Sequence, residues 1–328
     1  MPQSIKTLLC KFVSLVVLIS IAGTAWKLYH QYDLAGLLLS ASFGLAVVLA
    51  VAYRLVNPAG WVFVLRGLGH DVPIVSATEI WLHAESRRWL PGGVWGYASR
   101  ANQAREVGVP LATASASMLI ELLLTMVAAI AVGVVGVAMF GSQLAAAVQA
   151  TIDRSGIQHS HLMFASVGLT FVSLVVYCLR FKVQKKFQAF VAKWSALHTI
   201  RLNPAALAIA LFYLIAMACL NGIINTSLVR VVALDTHVPV MAMIAATAIA
   251  WVVGLLAFFS PGGILVREAT LAAILIAWLP YEQGFLLAML SRFAQLIAEV
   301  VGMFLVKCIQ TTTVSQEGRI INCGSGSC

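Results

Sequence analysis

Seven apolar runs dominate the chain, near residues 8–28, 34–56, 111–139, 161–180, 204–232, 240–260 and 284–308. Each is long enough to cross hydrocarbon, which takes about 20 helical residues. In hydrocarbon every backbone amide must bond within the chain, so only helices and closed barrels span it. Barrel strands alternate apolar and polar residues, whereas these runs are continuous, so the chain reads as a polytopic helical membrane protein. Composition agrees: 10% of residues are charged and 61% hydrophobic, with a mean hydropathy of +0.95. A soluble domain carries about 25% charged residues. Soluble enzyme, nucleic-acid binder and secreted disulfide scaffold are thereby excluded. Lys6 and Lys11 flank the start of the first run in the manner of a signal peptide; it is read as a first span.

The six cysteines build no disulfide framework. Cys10, Cys178, Cys219 and Cys308 lie in or beside apolar runs, and Cys323 and Cys328 sit in a Gly/Ser tail. The net charge of +9 fits cytoplasmic loops and anionic lipid head groups.

One tripeptide repeats. Pro91-Gly92-Gly93 recurs as Pro261-Gly262-Gly263, 170 residues on. Val72-Pro73 precedes the first copy and Val238-Pro239 the second, each after a run ending in an arginine, Arg66 or Arg230. A span with an ionisable residue follows each copy, carrying Glu121 in one case and Arg292 in the other. Each half therefore reads as span, Val-Pro, helix, Pro-Gly-Gly, helix, span. A shorter apolar stretch, 264–279, forms the second arm of the second hairpin.

Orientation follows from the loops. Residues 180–201 carry Arg180, Lys182, Lys185, Lys186, Lys193 and Arg201 without an acid, which places this segment in the cytoplasm. Counting spans from there, the first hairpin opens to the cytoplasm and the second to the outside. The halves are expected to be inverted, as in many secondary transporters.

A helix broken at Pro-Gly-Gly offers unpaired N–H groups to a cavity, and a helix start attracts anions. Arg88 precedes the first break and Arg267 follows the second. The tripeptide reads either as such an anion site or as a tight turn between packed helices; two copies flanked by arginines favour the site. Glu79, His83 and Arg87, spaced four apart, share a helix face, and Glu85 with Arg88 makes a second pair. They read as a wet cavity wall or as internal ion pairs. Glu121 and Arg292 lie deep in apolar runs, where a charge costs roughly 2.5–3.5 kcal/mol and needs a partner. They are expected to pair with each other or to line a route with Glu299, in a transport or a purely structural role.

Other features carry little weight. His159 and His161 lack a third ligand, Asp33, Asp71, Asp153 and Asp235 are scattered, and no nucleotide, metal or cofactor motif stands out. The sequon Asn225-Thr226-Ser227 lies in an apolar run and is discounted. Trp26, Trp61, Trp89, Trp95 and Trp278 read as interfacial belt or turn residues.

Two stretches, SRRWLPGGVWGYASRANQAREVGVP and FFSPGGILVREATLAAIL, resemble the two signatures of the lysylphosphatidylglycerol synthase transmembrane-region family. The resemblance covers about 34–308. It implies motif positions at Arg88, Pro91, Gly92, Gly93, Trp95, Arg100 and Glu121, then at Pro261, Gly262, Gly263, Arg267 and Glu268. Two departures are Leu265, where many relatives have a second glycine, and Leu122, where an arginine often follows the glutamate. The resemblance also implies a flippase-like, stand-alone member without the soluble aminoacyl-transfer domain, in a bacterial cytoplasmic membrane.

The expected fold is all-α, with about six full spans and two re-entrant Pro-Gly-Gly hairpins in one membrane domain. Its parts are a first span and loop (1–33), half one (34–139), a span and basic loop (140–203), half two (204–309) and a polar tail (310–328). Both termini are expected in the cytoplasm. The leading functional expectation is a lipid translocase for an anionic phospholipid or polyprenyl-phosphate lipid, without cofactor or nucleic acid, as a possible homo-oligomer. The alternatives are a non-catalytic partner of a glycosyltransferase, docking through 180–201, and a membrane-embedded head-group transferase.

Overall fold

The computed structural model describes residues 30, 32–87, 95–155, 203–257 and 263–324. These form helices α1 (Leu34–Leu38), α2 (Ala41–Val56), α3 (Ala59–Gly67), α4 (Ile74–Ser86), α5 (Trp95–Glu106), α6 (Leu111–Ser155), α7 (Pro204–Val232), α8 (Val240–Leu256), α9 (Val266–Leu275) and α10 (Tyr281–Gly324). No strand occurs among the described residues. Four stretches are long and apolar enough to cross a membrane: Ala41–Gly67, Leu111–Ala147, Pro204–Val232 and Tyr281–Cys308. The runs 8–28 and 161–180 and the basic loop 180–201 lie outside the described residues, while 240–260 contributes the shorter α8. The polar residues after 309 continue α10 as far as Gly324.

Local chemistry sets the boundaries. The Ser40 hydroxyl accepts from the Phe43 amide at 3.2 Å and caps α2. Asn203 caps α7, its side chain accepting from Ala205 and Ala206, with Pro204 at the first helical position. Pro73 and Pro239 start α4 and α8 with nearly the same backbone, φ −57°, ψ 136° and φ −56°, ψ 132°. Pro58 breaks the first span because it has no amide hydrogen and crowds the preceding turn. The Gly60 amide then bonds Asn57 instead of Val56, and the Tyr213 hydroxyl donates to the freed Val56 carbonyl at 2.7 Å.

Helix α8 is packed by α6, α7 and α9. Lipid is as apolar as leucine, so helices in it associate through close packing rather than hydrophobic drive. Gly136 of α6 lies against Ala245, and Gly222 of α7 against Ile244, each so closely that a side chain would collide. Around α8 a core of Leu228, Met243, Leu271, Leu275, Leu286 and Leu287 joins α7, α9 and α10. Val127, Ile130, Val134, Phe212, Val300 and Phe304 face outward on the long helices, the apolar exterior that a bilayer covers.

Candidate functional site

Glu121 lies ten residues into α6, about 15 Å along the helix and inside the apolar stretch Leu111–Ala147. Its carboxylate stands 2.7 Å from Nη2 of Arg100 on α5, with both side chains buried. The Arg100 guanidinium lies 4.0 Å above the Trp61 ring, a stacking that favours the cation in a desolvated place. Trp61 is fully buried, its Nε1 donating to Ser117 Oγ at 2.8 Å. It is therefore a structural floor for Arg100 and not the interfacial residue expected from sequence. Arg100 has more donors than it uses: Nε and Nη2 make no hydrogen bond of ordinary geometry among the described residues. Its contact with Glu121 is a close ion pair.

A second arginine, passed over in the sequence, sits beside this pair. Arg54 near the end of α2 is 4% exposed. Its Nη2 meets Glu299 Oε1 of α10 at 2.7 Å and its Nη1 meets Glu85 Oε2 of α4 at 3.3 Å. The Trp81 ring lies 5.7 Å from its guanidinium. Arg54 Nε, too, has no acceptor among the described residues. The signal was present, since a charge inside an apolar run demands a partner; its place near the end of the 34–56 run masked it.

The second half carries its own pair. Glu268 on α9, 2% exposed, meets Nε of Arg292 on α10 at 2.5 Å through Oε1, while Oε2 has no partner among the described residues. The expected pairing of Glu121 with Arg292 does not form. Each reaches back to the preceding helix, Glu121 to Arg100 and Arg292 to Glu268. The two arrangements match in position and differ in sign: the short helix supplies the cation in one half and the anion in the other. Glu299, grouped with these two from sequence, belongs with Arg54.

The other sequence-selected residues are distributed around these pairs. Arg87 caps α4 and donates to Ser99 Oγ of α5, which also accepts from Gln103 Nε2 at 2.7 Å. This ties the end of α4 to α5. Glu79 and His83 approach to 4.0 Å on a half-exposed face, and Trp95 opens α5 half-exposed. Arg88, Pro91, Gly92, Gly93, Pro261 and Gly262 lie outside the described residues. Gly263 takes a left-handed φ of 67° and Leu265 one of 68° just before α9, with Arg267 half-buried in its first turn. Between α7, α8 and α10 a buried polar node is fully satisfied. Asn225 Nδ2 donates to Thr247 Oγ1 at 2.9 Å, and the Ser291 hydroxyl donates to Asn225 Oδ1 at 2.6 Å. This supports discounting the sequon.

Several long apolar helices, an apolar exterior and ion pairs buried among the helices define a multi-pass integral membrane protein. The chain belongs to the family described as the lysylphosphatidylglycerol synthase TM region, whose model matches residues 11–302. Among curated proteins none matches it. Within that family the Leu265 departure gains a structural meaning: leucine occupies a backbone conformation in which glycine is at ease.

Proposed function

We propose that the protein is a lipid translocase that carries a head group bearing a phosphodiester anion between leaflets while the tails stay in hydrocarbon. The observation that carries this reading is Arg100: a guanidinium buried among apolar helices, stacked on Trp61, with donors left over after pairing. Guanidinium forks suit phosphate oxygens. Ionisable residues inside a membrane mark substrate routes by default. Two pairs of short helices support the architecture, since α4, α5, α8 and α9 run only 13, 12, 17 and 10 residues. Read with the repeated Val-Pro and Pro-Gly-Gly elements, they are two hairpins of an inverted repeat, in a cell membrane with both termini cytoplasmic. Arg87 at the end of α4 and Arg267 at the start of α9 supply further cations beside the two pairs of short helices. The polar group is passed between the two halves.

The test is head-group accessibility. Purified protein enters liposomes containing labelled phosphatidylglycerol in one arm and a polyprenyl-phosphate sugar in the other. A membrane-impermeant reagent then reads the outer-leaflet fraction. Equilibration with wild type, and loss with folded Arg100→Gln protein, is the expected result. No movement of either lipid overturns the reading.

A further inference from the structure

The Arg100–Glu121 pair constrains how an anion could be bound at all. Both side chains are buried, and a low-dielectric site penalises any unpaired charge by several kcal/mol, even after relaxation. At rest the pair is neutral. A phosphodiester that docks on Arg100 brings a second negative charge beside Glu121, leaving one cation facing two anions. Among the described residues the neighbours do not offset this. Glu85 from α4 faces Glu121 and adds a like charge. Arg54 from α2 is engaged by Glu85 and by Glu299 of α10. Trp61 of α3 and Trp81 of α4 are neutral, as are Ser117 and the rest of the α6 seam. Of the helices packed on α6 from the other half, α8 has no charged residue and α7 only Arg230, which is exposed. Neutrality is recovered in one simple way, by a proton on the displaced carboxylate.

We propose that Arg100 and Glu121 form a ligand-exchange pair in which the phosphodiester replaces Glu121 on Arg100 and the freed Glu121 carboxyl takes one proton from water. Lipid anion and proton then cross together, and on release the proton leaves as Glu121 returns to Arg100. The site is neutral in both states, and each cycle moves no net charge for a head group with a single negative charge. The geometry fits this role: the Glu121 carboxylate lies against Arg100 Nη2 at 2.7 Å, and Trp81 beside it offers a hydrogen bond to the carboxyl group. A groove of about 500 Å³ lies on the same α5–α6 seam. Tyr97, Ala101 and Asn102 line it from α5, and Ser115, Met118 and Leu122 from α6. Ala101 and Leu122 are the chain neighbours of the two paired residues. Its mixed lining suits the junction between a polar head group and its tails.

The inference rests on the translocase reading, and the experiment separates the two. The full chain is reconstituted in phosphatidylcholine liposomes containing labelled phosphatidylglycerol, with a pH-sensitive dye inside. A gradient of one pH unit is imposed, with the membrane potential clamped or set separately. A one-to-one exchange makes the labelled lipid accumulate in the more alkaline leaflet, by up to about tenfold. The dye reports one proton per head group moved, and a potential of either sign leaves the distribution unchanged. Even equilibration whatever the gradient overturns the exchange and leaves the translocase. A distribution that follows the potential does the same, because an unprotonated anion is then crossing. No movement overturns the translocase and the exchange with it. A second measurement needs no transport. In weakly buffered detergent, adding phosphatidylglycerol to wild type draws a proton from solution, and binding weakens as pH rises, by up to about tenfold per unit. Glu121→Gln, which mimics the protonated carboxyl, binds without proton uptake and without that pH dependence. Equal uptake by the variant, or none by wild type, overturns the proposal.

Discussion

Gly263 rests on the backbone of Gly254, so closely that a Cβ on Gly263 would stand 2.7 Å from the Gly254 carbonyl oxygen. This contact packs the start of α9 against the end of α8. Gly263→Ala meets both the clash and a left-handed φ that alanine resists. It is expected to lower stability by about 2–4 kcal/mol, read as thermal unfolding in detergent. Gly254→Ala meets only the Arg267 side chain at 3.0 Å and should lose clearly less.

Leu265, at φ 68° and ψ −39°, separates strain from packing. A β-branched side chain is worse than leucine in this region, so Leu265→Ile should lower stability by about 1 kcal/mol or more. Leu265→Gly relieves the strain and adds unfolded-state entropy, two effects of similar size. Its unfolding midpoint should stay within a few degrees of the parent, corresponding to about 1 kcal/mol or less.

Arg54 and Glu299 join the first described span to the last. Removing one member leaves the other buried and uncompensated, a loss of about 3–5 kcal/mol. Arg54→Met and Glu299→Met should each be that severe, while the double variant is less destabilised than the sum of the two. A double-mutant cycle by thermal unfolding measures the coupling; strict additivity would mean that the contact contributes nothing.

Stacking distinguishes arginine from lysine at position 100. Arg100→Lys keeps the charge but loses the flat face on Trp61 and the fork. Head-group movement should fall about tenfold or more, equivalent to about 1.4 kcal/mol, with thermal unfolding showing the fold retained. Trp61→Phe keeps a ring and loses the bond to Ser117, so it should lie between wild type and Arg100→Lys in the same liposome assay.

The buried node at Asn225 belongs to the frame. Asn225→Leu strands the Thr247 and Ser291 hydroxyls and should cost about 0.6–2 kcal/mol, the range for hydrogen bonds between membrane helices. Its effect should appear in thermal unfolding and not in the lipid dependence of proton uptake.

Much of the architecture was legible because membrane helices announce themselves by length and apolarity. Pro204 and the prolines of the two Val-Pro pairs marked helix starts to within a residue or two. The continuation of the first span past 56 was less visible, because it depends on how a proline break is repaired: Tyr213, 157 residues away, supplies the missing donor. Charges were legible as candidates and not as pairs. Glu121 and Arg292 looked like partners because they occupy matching repeat positions, yet matching positions meet only near a symmetry axis. Each has a neighbour on the helix before it, which is closer. Trp61 looked interfacial because sequence shows the indole and not the Ser117 oxygen that lets it be buried.

The Arg54 bridge has a consequence for how the chain is made. Glu299 follows Arg54 by 245 residues and Glu85 by 31. At about 5–20 residues per second, the ribosome delivers Glu299 roughly 12–50 s after Arg54, and Glu85 within about 2–6 s. A nascent first span thus holds a buried cation whose final counter-ion has yet to be synthesised, and Glu85 is the one that arrives in time. Of the two carboxylates that share this arginine, the one on α4 is synthesised well before the one on α10.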